Sequence, residues 1–280
     1  MSPQKGTLDG KVVVITGGGT GLGKSMCLNL AKEGANIVIA ARRQQPIEET
    51  AQEVRKLGVK SIAISTDVAD STQVNKLMER ALAEMGRIDA LINNAGIVRG
   101  DPPKPIWDIG DAEWRRGIDV NLSSAFYCSR AVSKYFADRK SGKIVNVASG
   151  EGYRGQRDLY MYATAKGGVL QLTRVLSTSL APYNIRVNCI VPGFVDTFDY
   201  QPPELQKTMA EARAAGKRKL FIPVGHAGVP DDIGHLALFL VSDASDYITG
   251  GLFPCDGAGL TGGYAITGYA PKISLKEALA

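Results

Sequence analysis

Three side chains in this sequence could together move a proton: the hydroxyl of Ser149, the phenol of Tyr162 and the ammonium of Lys166. Tyr162 and Lys166 are four residues apart, which on a helix puts them on one face about one turn apart. Ser149 follows an apolar run, Lys143 to Ala148, that reads as a buried strand. Polar residues at the carboxyl ends of strands in open α/β sheets lie where ligands bind. A phenol ordinarily titrates near pH 10, and a neighbouring ammonium favours its ionised form. Tyr162 can therefore donate or take a proton at an oxygen that Ser149 holds. A Tyr/Lys pair at this spacing is also common by accident, so the surrounding elements decide its meaning.

Those elements alternate. Short β-branched or apolar runs read as strands at Lys11 to Thr16, Asn36 to Ala40, Ser61 to Thr66, Ala90 to Asn93, Lys143 to Ala148, Arg186 to Val191 and Leu252 to Cys255. Between them, helical patterns run over Gly23 to Lys32, Ile47 to Leu57, Thr72 to Met85, Asp111 to Lys140, Met161 to Leu180 and Asp231 to Val241. Seven buried strands alternating with helices predict an α/β fold: one Rossmann-like, doubly wound parallel sheet with helices on both faces. Residues 1–280 read as a single domain. Two stretches fall outside the alternation: a charged excursion at 197–228, read as a substrate lid, and a polar tail at 261–280.

Composition narrows the function. With 280 residues, 44% apolar, 22% charged and a net charge of +5, the chain has an ordinary globular balance. The basic clusters, Arg42-Arg43 and Lys217-Arg218-Lys219, are too short to predict nucleic-acid binding. The longest strongly apolar run, Leu236 to Val241, is far too short to span a bilayer. Cys27, Cys128, Cys189 and Cys255 form no C-x-x-C pair, and there are only two histidines. No metal site or disulfide framework is expected, and the thiols read as buried in a reducing cytoplasm. The 32 glycines are an excess without a period, so they should serve particular loops.

One such loop is Thr16 to Gly23, TGGGTGLG, between the first strand and first helix. Gly17 lets the chain leave the strand in a tight turn. Gly21 allows backbone to approach a pyrophosphate, Gly23 allows helix to pack closely on sheet, and the helix N-terminus faces the phosphates. The spacing T-G-x-x-x-G-x-G is specific. With STDV ending at Asp67-Val68, NNAG at Asn93 to Gly96, Asn121 in DVNLS, Ser149 in IVNVAS, YATAK at Tyr162 to Lys166 and VPGFVDT at Val191 to Thr197, the chain resembles the short-chain dehydrogenase/reductase family, of the roughly 250-residue type.

The resemblance implies an NAD(P)-dependent oxidoreductase that interconverts a ketone and a secondary alcohol. Tyr162 would be the general acid/base, Ser149 would hold the substrate oxygen, and Lys166 would lower the phenol's pKa and bind the nicotinamide ribose. Asn121 would kink its helix and hold a water linking Lys166 to solvent. In the glycine loop, Gly17, Thr20, Gly21, Leu22 and Gly23 would meet the cofactor. Asp67 would bond the adenine amino group with Val68 beside the ring, and Asn94, Ala95 and Gly96 would support and border the cofactor. Pro192, Gly193, Val195 and Thr197 match the loop that contacts the carboxamide. No metal is required.

The end of the second strand should choose the cofactor. An acidic residue there would accept bonds from the ribose hydroxyls and repel a 2′-phosphate. This chain has Ala41 and then Arg42, whose guanidinium suits a phosphate dianion, so NADP is expected to be preferred, with NAD as the alternative. The substrate is expected to be a small cyclic, sugar-like or acyl compound, bound by Ile97 to Ile109, Gly150 to Met161 and Phe198 to His226. Two other readings stand beside this one: a reductase of 3-oxoacyl thioesters on acyl carrier protein, and a non-catalytic dinucleotide-binding regulator. The acyl-carrier reading is weakened by VLSTSLAPY at Val175 to Tyr183, which lacks the charges usual there. The resemblance implies a homo-oligomer, a tetramer, paired through Asp111 to Lys140, Met161 to Leu180 and Asp231 to Cys255, and Phe126, Tyr127, Val132, Tyr135 and Phe136 exceed what one sheet-facing stripe needs.

Overall fold

The computed structural model describes residues 6–97, 104–198, 207 and 222–261. Seven parallel strands form one sheet in the order β3-β2-β1-β4-β5-β6-β7. The strands are β1 (Val12–Thr16), β2 (Asn36–Ala41), β3 (Ser61–Ser65), β4 (Ala90–Asn93), β5 (Gly142–Val147), β6 (Ile185–Pro192) and β7 (Leu252–Cys255). The described helices are α1 (Gly21–Lys32), α2 (Gln44–Lys56), α3 (Ser71–Met85), α4 (Asp111–Ile118), α5 (Ser124–Arg139), α6 (Tyr160–Leu180) and α7 (Pro230–Val241). This is the doubly wound fold expected from the alternation.

The strands are almost continuously apolar because both faces are covered. On one side Val13 and Ile15 of β1 pack with Met26 and Leu30 of α1, Ile47 of α2 and Ile233 of α7. On the other, Val12 and Val14 pack with Leu77 of α3 and with Val132 and Phe136 of α5. Beneath the carboxyl ends of β4 and β5 runs a buried polar chain. The Asn93 amide donates to Asn146 Oδ1 at 2.9 Å, and the Asn146 amide donates to Thr173 Oγ1 on α6 at 2.9 Å. Strand order reverses between β1 and β4, and that switch point opens a crevice at the strands' carboxyl ends.

Two expectations need correction. The single helix at Asp111 to Lys140 is two helices, α4 and α5, joined by a π-turn over Asp119–Ser123. Of the five α5 residues expected to exceed one stripe, Val132 and Phe136 are buried and Tyr127 and Tyr135 are packed against the core; Phe126 alone is exposed. The excursion at 197–228 and the tail at 261–280 lie mostly outside the described residues, and so does the Lys217-Arg218-Lys219 cluster. The stem of the excursion is described: Val195 and Gly228 form a parallel bridge. Asp196 N–H donates to Gly228 O at 2.8 Å, and Gly228 N–H donates to Phe194 O at 3.1 Å. Cys27, Cys128 and Cys189 are buried, and Cys255 is partly so. Among the described residues no helix is long and apolar enough to cross a membrane.

Candidate active site

A cleft of about 410 Å³ lies over the carboxyl ends of β1, β2 and β4. Its floor is the glycine loop, and glycine is needed there for two different reasons. Gly17 has a φ of +70°, which side chains rarely adopt. Gly23 has no room for a Cβ, which would stand 2.1 Å from the carbonyl oxygen of Gly17. The loop is held from β4: the Thr16 hydroxyl accepts the N–H groups of Asn94 and Ala95 at 3.0 and 3.1 Å, and the Asn94 amide donates to Thr16 O at 2.9 Å. Thr20 begins α1 without a side-chain cap, and the first turn of α1 carries no acidic residue. The first N–H groups of α1 are thus left for an anion. Such a loop fits a dinucleotide's pyrophosphate.

Gly17, Thr20, Gly21, Leu22, Gly23, Ala41, Arg42, Asp67, Val68, Asn94, Ala95, Gly96 and Thr197 all line this cleft. Gly19, Arg43, Pro46, Thr66 and Val120 line it as well, although sequence reasoning gave them no binding role, and so does Ile97, which was expected to meet the substrate. Only adjacency to the motifs could have signalled most of them. Among the described residues neither Arg42 nor Arg43 pairs with a carboxylate. Pro192, Gly193 and Val195 lie outside the lining, and Gly193 N–H is taken by Cys255 O at 3.0 Å.

The three residues expected to move a proton stand beside the cleft's inner end. Ser149 leaves β5 in extended conformation, its hydroxyl accepting Glu151 N–H at 3.2 Å and lying close enough to the phenol of Tyr162 to favour its ionised form. Tyr162 and Lys166 share one face of α6, and Lys166 Nζ lies 5.7 Å from the Tyr162 ring centroid. Lys166 is 4% exposed and donates to Val147 O at 2.8 Å. Burial lowers its pKa to about 8.

The expected lowering of the Tyr162 pKa by Lys166 is not what the geometry gives. Burial raises the phenol's pKa, the Ser149 hydroxyl opposes that rise, and the Glu151 carboxylate adds to it. The Lys166 ammonium is directed at a backbone carbonyl rather than at the phenol oxygen.

Asn121 sits in the π-turn, where its Oδ1 accepts Ile97 N–H and its amide donates to Ile97 O and Gly117 O, each at 2.9 Å. It therefore ties the helix break to the strand-end loop. A Cβ at Gly96 would lie 2.9 Å from Asn121 Oδ1 and 3.5 Å from Lys166 Nζ, so the dinucleotide cleft ends against the catalytic candidates.

Of the stretches expected to bind substrate, Gly150 to Met161 is described in full. Glu151 there is held by Arg154 at 3.0 Å. Residues 98–103 of the first stretch and most of Phe198 to His226 lie outside the described residues. Trp107 is 82% exposed. Among the described residues no group of three His, Cys, Asp or Glu side chains could hold a metal ion.

Comparison with known proteins agrees with this arrangement. The family model described as short chain dehydrogenase matches residues 11–209. The 2-dehydro-3-deoxy-D-gluconate 5-dehydrogenase of Escherichia coli is 35% identical over 255 residues, covering 91% of this chain and 97% of that one. The 3-oxoacyl-[acyl-carrier-protein] reductase of Thermotoga maritima is 34% identical over 250 residues, covering 89% and 98%. Among solved structures, NAD+-bound xylitol dehydrogenase superposes with a TM-score of 0.78 at 30% identity, covering 89% of this chain and 99% of that one. With the sheet order, the glycine cleft and the matched length together, the chain belongs to the short-chain dehydrogenase/reductase family of NAD(P)-dependent oxidoreductases.

Proposed function

We propose that this enzyme interconverts a ketone and a secondary alcohol on a small cyclic, sugar-like or acyl substrate, using NADP in preference to NAD. Residues 1–280 act in this reading as one catalytic domain. The observation that carries it is the placement of a buried Lys166 against the ring of Tyr162, 5.7 Å from its centroid, behind Gly96 at the inner end of a glycine-floored cleft.

When bound, the nicotinamide supplies or accepts hydride. The chain's own residues manage the proton and the geometry. Ser149 donates a hydrogen bond to the substrate oxygen and fixes it beside the phenol. In reduction Tyr162 gives its proton to that oxygen; in oxidation it takes one. A phenol whose pKa burial raises holds its proton tightly, so a charge on Lys166 one turn away serves to stabilise the phenolate as it forms. Asn121 holds the turn that closes the cleft against Lys166.

The test is a panel of ketones, alcohols, sugar acids and 3-oxoacyl thioesters, screened with NADPH, NADP, NADH and NAD. Turnover is expected with the wild type. Tyr162→Phe keeps the ring but removes the proton, so kcat should fall at least about a hundredfold, the usual lower range for general acid–base help. A Tyr162→Phe enzyme with half the wild-type kcat would refute the assignment. Tight cofactor binding without any turnover would favour a regulator.

A further inference from the structure

We propose that Arg116 is a positioning residue for the cofactor's base, fixing the Asp67 carboxylate at the cleft so that its free lone pairs read an exocyclic amino group. This rests on reading the glycine cleft as a dinucleotide site. Asp67 lines the cleft, next to Val68, which is buried. Its carboxylate is gripped on both oxygens: Oδ1 accepts Ala69 N–H at 3.1 Å, and Oδ2 accepts Arg116 Nη2 at 3.1 Å. Its backbone is held too, with the N–H donating to Gln73 Oε1 at 2.9 Å.

A carboxylate has about four acceptor positions, so roughly two stay available after these bonds. Locked in this way, the group presents acceptors only. It favours a donor such as the 6-amino group of adenine. A ring carbonyl in the same place would meet it lone pair to lone pair.

Arg116 differs from the other charges on α4. Arg115 pairs with Asp111 across 3.4 Å on a face where both side chains are more than 70% exposed. Glu113 pairs with Lys104. Arg116 instead reaches a residue 49 positions away in the chain, at the wall of the cleft. An ordinary surface ion pair is worth little; the consequence here lies in where the carboxylate is aimed. α4 also runs straight into the π-turn of Asn121, so the same helix meets both ends of the cleft.

Calorimetric titration tests this without a known substrate. The probes are NADP and its deamino analogue, which carries hypoxanthine in place of adenine. The variants are Arg116→Ala, Arg116→Lys and Arg116→Gln, each checked for folding by thermal unfolding. The wild type should bind the deamino analogue about tenfold more weakly than NADP, the scale of one hydrogen bond to a charged group. Arg116→Ala should weaken NADP by a similar factor while leaving the analogue nearly where it was, and Arg116→Lys should recover part of the loss. If the alanine variant does not fold, Arg116→Gln carries the same comparison. Equal weakening of both probes, or a lysine variant as poor as the alanine one, would overturn the proposal by making Arg116 merely structural. A wild type that binds both probes equally well would also overturn it while leaving the dinucleotide reading intact. Binding of neither probe would overturn the dinucleotide reading, and the proposal with it.

Discussion

Ala41 ends β2 and Arg42 follows it at the cleft wall, and neither can accept bonds from the ribose hydroxyls as a carboxylate there would. If the Arg42 guanidinium receives a 2′-phosphate, the bond is charge-assisted and worth about 1.5–3 kcal/mol. Arg42→Ala should then raise KM for NADP roughly ten- to a hundredfold and hardly change KM for NAD. Ala41→Asp should reverse the preference by adding ribose bonds and repelling the phosphate. Measuring kcat/KM with both cofactors checks this; a wild type that prefers NAD, with Arg42→Ala unchanged on either cofactor, would refute it. Lys166 makes a second residue-scale prediction. Its pKa falls from 10.5 to about 8 on folding because burial penalises the charge. Between those values the unfolded chain holds a proton that the folded chain has released, so stability rises with pH across that window. Relative to Lys166→Met, the wild type should gain up to about 3 kcal/mol between pH 8 and pH 10.5, read from urea unfolding at a series of pH values. A flat difference would show that the ammonium is better solvated than its burial implies. At this scale the sequence was most informative about placement: Ser149 follows β5, and Tyr162 and Lys166 share one face of α6. It pointed the Tyr162 pKa downward, whereas burial raises it, because desolvation and the aim of Lys166 at Val147 O depend on packing that spacing does not encode.

The π-turn at Asp119–Ser123 is the clearest divergence from periodicity. One extra residue in a turn barely disturbs an apolar stripe, so α4 and α5 read as a single helix. The resemblance anticipated a kink at Asn121, but its means only became visible with the three bonds of its side chain to Ile97 and Gly117. These bonds depend on Gly96 in the loop after β4. Gly96→Ala should push Asn121 off Ile97, because the new methyl would stand 2.9 Å from its Oδ1. Losing buried bonds of this kind costs about 1–3 kcal/mol, so the variant should unfold at lower temperature and lose turnover together. A variant with wild-type melting temperature and kcat would show that the loop shifts freely. Strand limits were the easiest to read: β4 and β7 fall where the short apolar runs do, although β7, at the sheet edge, is only partly buried.

For the whole molecule, the single parallel sheet and its two covered faces follow from the alternation of elements, whereas surfaces do not. Phe126 on α5, Val175 on α6, Phe239 on α7 and Tyr247 before β7 remain exposed, at 42%, 52%, 37% and 103%. Apolar side chains on the outer helices are candidates for subunit contact. Light scattering at micromolar concentration should therefore give a mass above the monomer, and Phe126→Glu should lower it; a monomeric wild type would contradict this. The clasp between Val195 and Gly228 has a further evolutionary consequence. The chain departs and returns at one hydrogen-bonded point, and on its way back Val224 N–H also donates to Gly257 O at 3.2 Å. Because the clasp itself holds the two ends together, descendants of this gene can change the length of chain between them without parting β6 from α7, while the glycine loop stays fixed.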